Sequence, residues 1–147
     1  GPTRELVQQI EKECEKLLPG TGLNSFAVFG GNNYADQKLA LQQKQTDILA
    51  ATPGRLQDLF KDGRVSLEFV QYLVFDEADK MLDMGFEKPI TQIVTTLDLP
   101  EKTKRITAMF SATYPPKIRN MAKDFLRPYN RLMVGHIGST VENIDQV

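Results

Sequence analysis

The run Phe69-Val70-Gln71-Tyr72-Leu73-Val74-Phe75 ends directly at Asp76-Glu77-Ala78-Asp79, so three carboxylates follow an apolar, β-rich stretch with no spacer. A strand of this kind, apolar on both faces, is predicted to lie inside a parallel α/β sheet. It would deliver its next residues to the carboxyl edge, where such folds bind ligands. Three negative charges within four residues repel one another in a packed core, so solvent, a cation or a basic partner must compensate them. The Mg²⁺ of a bound nucleotide is the leading candidate. A plainer reading is that Asp76 and Glu77 merely open the next helix, where acids favour the positive end of the macrodipole.

Other residues are suited to anions. In Thr52-Pro53-Gly54-Arg55, Thr52 is a good N-cap and Pro53 a good first helical residue, so the helix amides would point outward at a phosphate-like group with Arg55 beside them. Arg4, in Pro2-Thr3-Arg4-Glu5-Leu6, is similarly placed at the start of a first helix. Gly30-Gly31 lets a backbone approach a ligand closely. The hydroxyls of Ser111-Ala112-Thr113 stand at the end of another strand, either as donors to a neighbouring acid or as a capped turn before Pro115-Pro116. Singly, each is an ordinary cap or turn; together they form one edge of a backbone-binding track.

The elements that must position these residues alternate, as in a parallel sheet with crossover helices. Helix 4–18 ends near Pro19-Gly20, and strand 25–29 is closed by Gly30-Gly31. Helix 34–44 precedes strand 47–51, and the helix opened by Thr52-Pro53 stops by Asp62-Gly63. Strand 69–75 reaches the acids. Helices 78–84 and 86–97 lead to strand 106–110, helix 116–126 and a last strand 131–134.

Taken in order, Pro-Thr-Arg-Glu-Leu, Gly-Gly, Thr-Pro-Gly-Arg, Asp-Glu-Ala-Asp and Ser-Ala-Thr resemble the first RecA-like domain of DEAD-box RNA helicases along nearly the whole chain. Met84-Gly85-Phe86 fits the same family, and the tail from Val134 to Ile144 is most similar to its Vasa and translation-initiation branch. Tyr114-Pro115-Pro116 departs slightly from the usual aromatic-proline-acid continuation.

The resemblance implies a RecA-like parallel sheet flanked by helices, with ATP and Mg²⁺ as cofactors and RNA as partner. It implies that Asp76 holds Mg²⁺, largely through water, and that Glu77 positions the attacking water as general base. Arg4, Gly31, Thr52 and Arg55 would contact single-stranded RNA phosphates and ribose, and Asp79 would link to Ser111 and Thr113 for coupling.

The family places a G-x-x-x-x-G-K-[ST] loop and an adenine-reading glutamine motif upstream of Pro2, and a second RecA-like domain downstream. None of these occurs in the 147 residues. The expectation is therefore a partial first domain over residues 1–134, with an interdomain connector starting at Gly135. Its sheet would be incomplete for want of the phosphate-loop strand, and its edges could self-associate.

Composition bounds the alternatives. With 147 residues, 41% of them hydrophobic, one core is expected. The single cysteine, Cys14, gives no disulfide framework. It lies on the stripe Leu6, Ile10, Cys14, Leu17, which predicts a buried thiol. His136 is likewise alone. No apolar run reaches the length of a membrane span and no signal-peptide pattern opens the chain, so cytoplasm or nucleus is expected. A net charge of −1 argues against binding nucleic acid through a bulk positive field, so any RNA site must be local.

Two functional readings are compatible: a part of an ATP-dependent RNA helicase that locally opens duplexes, and an isolated module that binds RNA or a partner weakly and is catalytically inert. An unrelated receiver-like Mg²⁺ domain leaves Thr-Pro-Gly-Arg and Ser-Ala-Thr unexplained.

Overall fold

A computed structural model describes residues 1–31 and 33–135. Among the described residues six helices and four short strands follow in the order α1 (Arg4–Leu17), β1 (Ser25–Val28), α2 (Tyr34–Gln43), β2 (Ile48–Ala51), α3 (Pro53–Lys61), β3 (Tyr72–Phe75), α4 (Ala78–Asp83), α5 (Glu87–Thr95), β4 (Ile106–Met109) and α6 (Pro116–Phe125). Helix α1 starts where it does because Thr3 caps it: its hydroxyl accepts from the Leu6 amide at 3.2 Å, a bond of a type that contributes about 1 kcal/mol.

The strands form two parallel pairs. β1 lies beside β2 in the register Ser25 to Ile48 through Val28 to Ala51, and β3 lies beside β4 from Tyr72 and Ile106 to Phe75 and Met109. Among the described residues the pairs are not hydrogen-bonded to each other. Gly1 stands beside both, its amine donating to the Ala51 carbonyl at 2.8 Å within the field of Asp76 and Glu77. The carboxyl ends of β2 and β3 are therefore neighbours on one edge.

Each pair has its own small core. Val7 of α1 packs with Ala27, Phe29 and Ala50 on the first, with Ile10 against them. On the second, Phe75 is buried with Ala78, Met81, Ile90, Ile118, Met121 and Phe125; the Phe75 and Phe125 rings stack with centroids 5.9 Å apart. The halves are joined by Gln57 of α3, whose amide donates to Gln92 Oε1 at 2.7 Å and to the Pro89 carbonyl at 3.3 Å on α5.

Three expectations need correction. The strand before the acids is not apolar-buried on both faces: Phe69 is 86%, Tyr72 66% and Val74 55% exposed, while Leu73 and Phe75 face the core. The helices available to β3 cover one face only, so strand alternation leaves the other open. Residues 131–134 form no strand, because a strand needs a neighbour for its amides and carbonyls and none among the described residues lies alongside. Cys14 is half-buried instead of buried, since the stripe slides off the sheet toward the helix end, where Leu17 is 78% exposed. The connector expected from Gly135, and His136 with it, lie outside the described residues beyond Gly135 itself.

Candidate functional site

At the tip of β3 the chain turns sharply into α4. Glu77 has φ +51°, the one positive φ outside glycine among the described residues, a conformation that costs free energy and tends to occur at functional sites. Glu77 stands at the N-cap of α4 but makes no side-chain capping bond. One oxygen of Asp76 accepts from the Glu77 amide at 2.9 Å. Glu77 Oε2 is shielded from solvent without a hydrogen-bond donor, its nearest cation being Lys80 Nζ at 3.6 Å. The tip thus presents a half-buried carboxylate pair whose acceptor capacity is not used up within the chain. Nearby, burial drives the Gly1 amine down to about 6, with Asp76 and Glu77 pulling the other way.

Asp79 is tied across to the end of β4. Its Oδ2 accepts from the Thr113 hydroxyl at 2.9 Å and the Thr113 amide at 3.2 Å, and its Oδ1 accepts from the Lys80 amide at 3.0 Å. Burial, the largest single influence, pushes the Asp79 carboxyl up. The bonds from the Thr113 hydroxyl and the Lys80 amide, helped by the Ser111 hydroxyl and the Thr113 amide, outweigh it and hold the group below its ordinary value. The Ser111 hydroxyl donates to the Thr113 carbonyl at 2.8 Å and also acts on Asp79, so Thr113 makes the closer link and Ser111 supports it.

The second group surrounds the ends of β1 and β2. Thr52 holds the N-cap position of α3, with Pro53 first in the helix, but its hydroxyl makes no capping bond and the residue is buried. Gly31 has φ +80° and nothing within 4 Å of a built Cβ, so conformation demands glycine there and the space above it is open. The Arg4 guanidinium lies 5.3 Å from the centroid of the Phe29 ring, and Arg55 lies 5.1 Å from that of Tyr34.

Sequence reasoning missed Gln37. Its Oε1 accepts from Arg55 Nη1 at 2.8 Å and from the Phe29 amide at 3.3 Å, and its Nε2 donates to the Phe29 carbonyl at 3.1 Å. The available signal was α2 itself, Tyr-Ala-Asp-Gln-Lys-Leu-Ala-Leu-Gln-Gln, which carries no clean apolar stripe and so must be anchored by a polar residue.

Arg4, Gly31, Thr52 and Arg55 thus cluster at one pair of strand ends, and Asp76, Glu77, Asp79, Ser111 and Thr113 at the other. Parallel strands flanked by helices, with acids and helix starts on the carboxyl edge, define a RecA-like α/β domain. The family model described as DEAD/DEAH box helicase matches residues 1–121, and the chain belongs to that family. It is 48% identical over 146 residues to DEAD-box ATP-dependent RNA helicase 52A of Oryza sativa subsp. japonica; the match covers 99% of this chain and 24% of that protein, so the chain spans about a quarter of this relative. Among solved structures it is similar to the yeast DEAD-box splicing factor Prp28 (TM-score 0.80, 37% identity, 86% of this chain and 30% of that one). It is also similar to a DEAD box protein from the hyperthermophile Methanococcus jannaschii (TM-score 0.79, 38% identity, 88% of this chain and 34% of that one).

Proposed function

We propose that the chain is part of an ATP-dependent RNA helicase that opens or remodels RNA duplexes. The β3 tip contributes residues for Mg²⁺-ATP hydrolysis, and the β1–β2 edge contributes half of an RNA-backbone clamp. The observation that carries this reading is the strained turn at Glu77, which sets a carboxylate oxygen without a hydrogen-bond donor at the carboxyl edge, beside Asp76, whose Oδ1 accepts from the Glu77 amide. Among the described residues no cluster of three or more acids, histidines or cysteines could hold a metal alone. That donor set suits Mg²⁺, which commonly takes one or two carboxylates and completes its shell with water and phosphate. Asp76 would hold the ion, which when bound neutralises charge on the phosphate oxygens.

Glu77 accepts the proton of the attacking water through its carboxylate, which the turn places at the carboxyl edge. Asp79 and Thr113 tie the acidic turn to the end of β4, so movement of either is felt by the other. Arg4, Arg55, the Gly31 backbone and the starts of α1 and α3 hold sugar and phosphate, which carry no sequence information, so binding is sequence-tolerant. Thr52, being buried, contributes through its backbone and its place at the helix start.

The 147-residue chain contains no phosphate-cradling glycine loop, and without one ATP is not held in line for attack. Phosphate release from the purified chain, with and without single-stranded RNA, is the test. Background release in both cases is expected, with turnover appearing when a phosphate loop and second helicase domain are supplied. RNA-stimulated release from the chain alone would overturn its expected inertness, and no turnover after those parts are supplied would overturn the proposal. The open faces of Tyr72, Val74, Ile106 and Phe110 also favour self-association of the isolated chain, which sedimentation velocity would read as a concentration-dependent dimer.

A further inference from the structure

We propose that Gln37 is the positioning residue that aims Arg55 at RNA and sets its spacing from Arg4; this rests on the RNA track proposed above. β1 ends at Val28, whose register partner Ala51 is the last residue of β2. Phe29 therefore leaves the ladder with an amide and a carbonyl that the sheet does not satisfy, just before the Gly30-Gly31 turn. Gln37 takes both, through Oε1 and Nε2, in the manner of an added strand residue. Its second carbonyl lone pair accepts from Arg55 Nη1 at 2.8 Å.

The arrangement admits only one orientation of the amide, because the oxygen must face two donors and the nitrogen one carbonyl. Only 5% of Gln37 is exposed, so the side chain is packed as well as bonded. Its contacts link the two cations: the Phe29 ring, whose backbone it clamps, underlies Arg4, while Arg55 is held by Gln37 on one side and lies over Tyr34 on another. The Tyr34 ring is itself fixed by a hydroxyl bond to Asp62 at 2.5 Å. Gln37 thus joins the mounts of Arg4 and Arg55, which would otherwise be separate side chains on separate helices. A guanidinium held in place loses less freedom when it meets a phosphate, which is how an indirect contact strengthens binding.

The test is a double-mutant cycle in the full-length protein that carries this chain, reading affinity for a labelled single-stranded RNA by anisotropy, with each variant's melting temperature recorded. R55A is expected to weaken binding about tenfold, and Q37M, which keeps the length of the side chain but removes its hydrogen bonds, to weaken it severalfold. In the R55A background Q37M should have almost no further effect. Equal loss from Q37M with and without Arg55 would mean a merely structural role and overturn this inference while leaving the RNA track intact. If R55A itself leaves affinity unchanged, both the inference and the track at Arg55 fall. Should Q37M melt too early to assay, Q37E serves the same cycle: it can still accept from Arg55, and pairing the guanidinium with a carboxylate should weaken RNA binding far more with Arg55 present than with R55A. Equal losses would again be the contradicting result.

Discussion

The two strand pairs carry their polar residues in opposite ways. At the β1–β2 end the charged groups are already tied down: Arg55 to Gln37 and Tyr34, Arg4 over Phe29, each on a buried support. At the β3–β4 end the carboxylates sit on a left-handed turn, and Glu77 keeps a shielded oxygen with no donor. On the function proposed above, the first end binds an extended anion in place, while the strain and unused acceptor capacity of the second suit chemistry on a ligand that arrives later. If the two ends are a clamp and a reaction centre, they should respond differently to substitution.

The largest effect is expected from E77Q in the full-length protein. The amide keeps the size of the side chain but cannot take a proton, so hydrolysis should fall by roughly 10² to 10⁴-fold while ATP and RNA still bind. Filter binding alongside steady-state phosphate release would check it, and near-normal turnover would remove Glu77 from the role of base.

Next come the cations. R4A and R55A should each weaken single-stranded RNA by about tenfold, make binding less salt-sensitive by losing a phosphate contact, and treat all sequences alike. Titrations at several salt concentrations measure both quantities. Preserved affinity in both variants would place the track elsewhere.

Smaller still is the effect of cutting the Asp79 link. Loss of the Thr113 hydroxyl removes a bond of about 1 kcal/mol, so T113A should lower duplex unwinding about fivefold and ATP turnover less, and S111A, one bond further away, should do less. Equal loss of unwinding and turnover would show that these residues support the reaction centre itself.

How much of this was legible follows from what each residue depends on. The acids at the end of β3, the helix start at Thr52-Pro53 and the alternation of elements are local signals, and the structure keeps them. The open face of β3 and the absent strand at 131–134 depend on what lies alongside, which a strand's own residues do not encode. How a rotating hydroxyl such as that of Ser111 divides its bonding between Asp79 and the Thr113 carbonyl is decided by the fold of its turn. Gln37 was hard to single out because its importance arises from three contacts made across the sheet edge, and the missing apolar stripe of α2 does not say which of its polar residues is the anchor.

The mildest effect is on pH. Because its carboxyl is held below the ordinary range of about 3.9, Asp79 stabilises the fold above that range and loses this contribution as pH falls through its lowered value. Melting curves of the wild type and D79N should differ by a constant amount at neutral pH and converge below about pH 4. A gap that persists at low pH would show that the aspartate acts through packing and not through charge.

The division of labour is tested most directly by RNA-stimulated phosphate release in the full-length protein, titrated with RNA for the wild type, R55A and E77Q together. The account predicts that R55A raises the RNA concentration needed for half-maximal stimulation but reaches the wild-type rate at saturation, whereas E77Q stays low at every RNA concentration. A saturating rate that falls in R55A, or one that E77Q reaches in full, would contradict it.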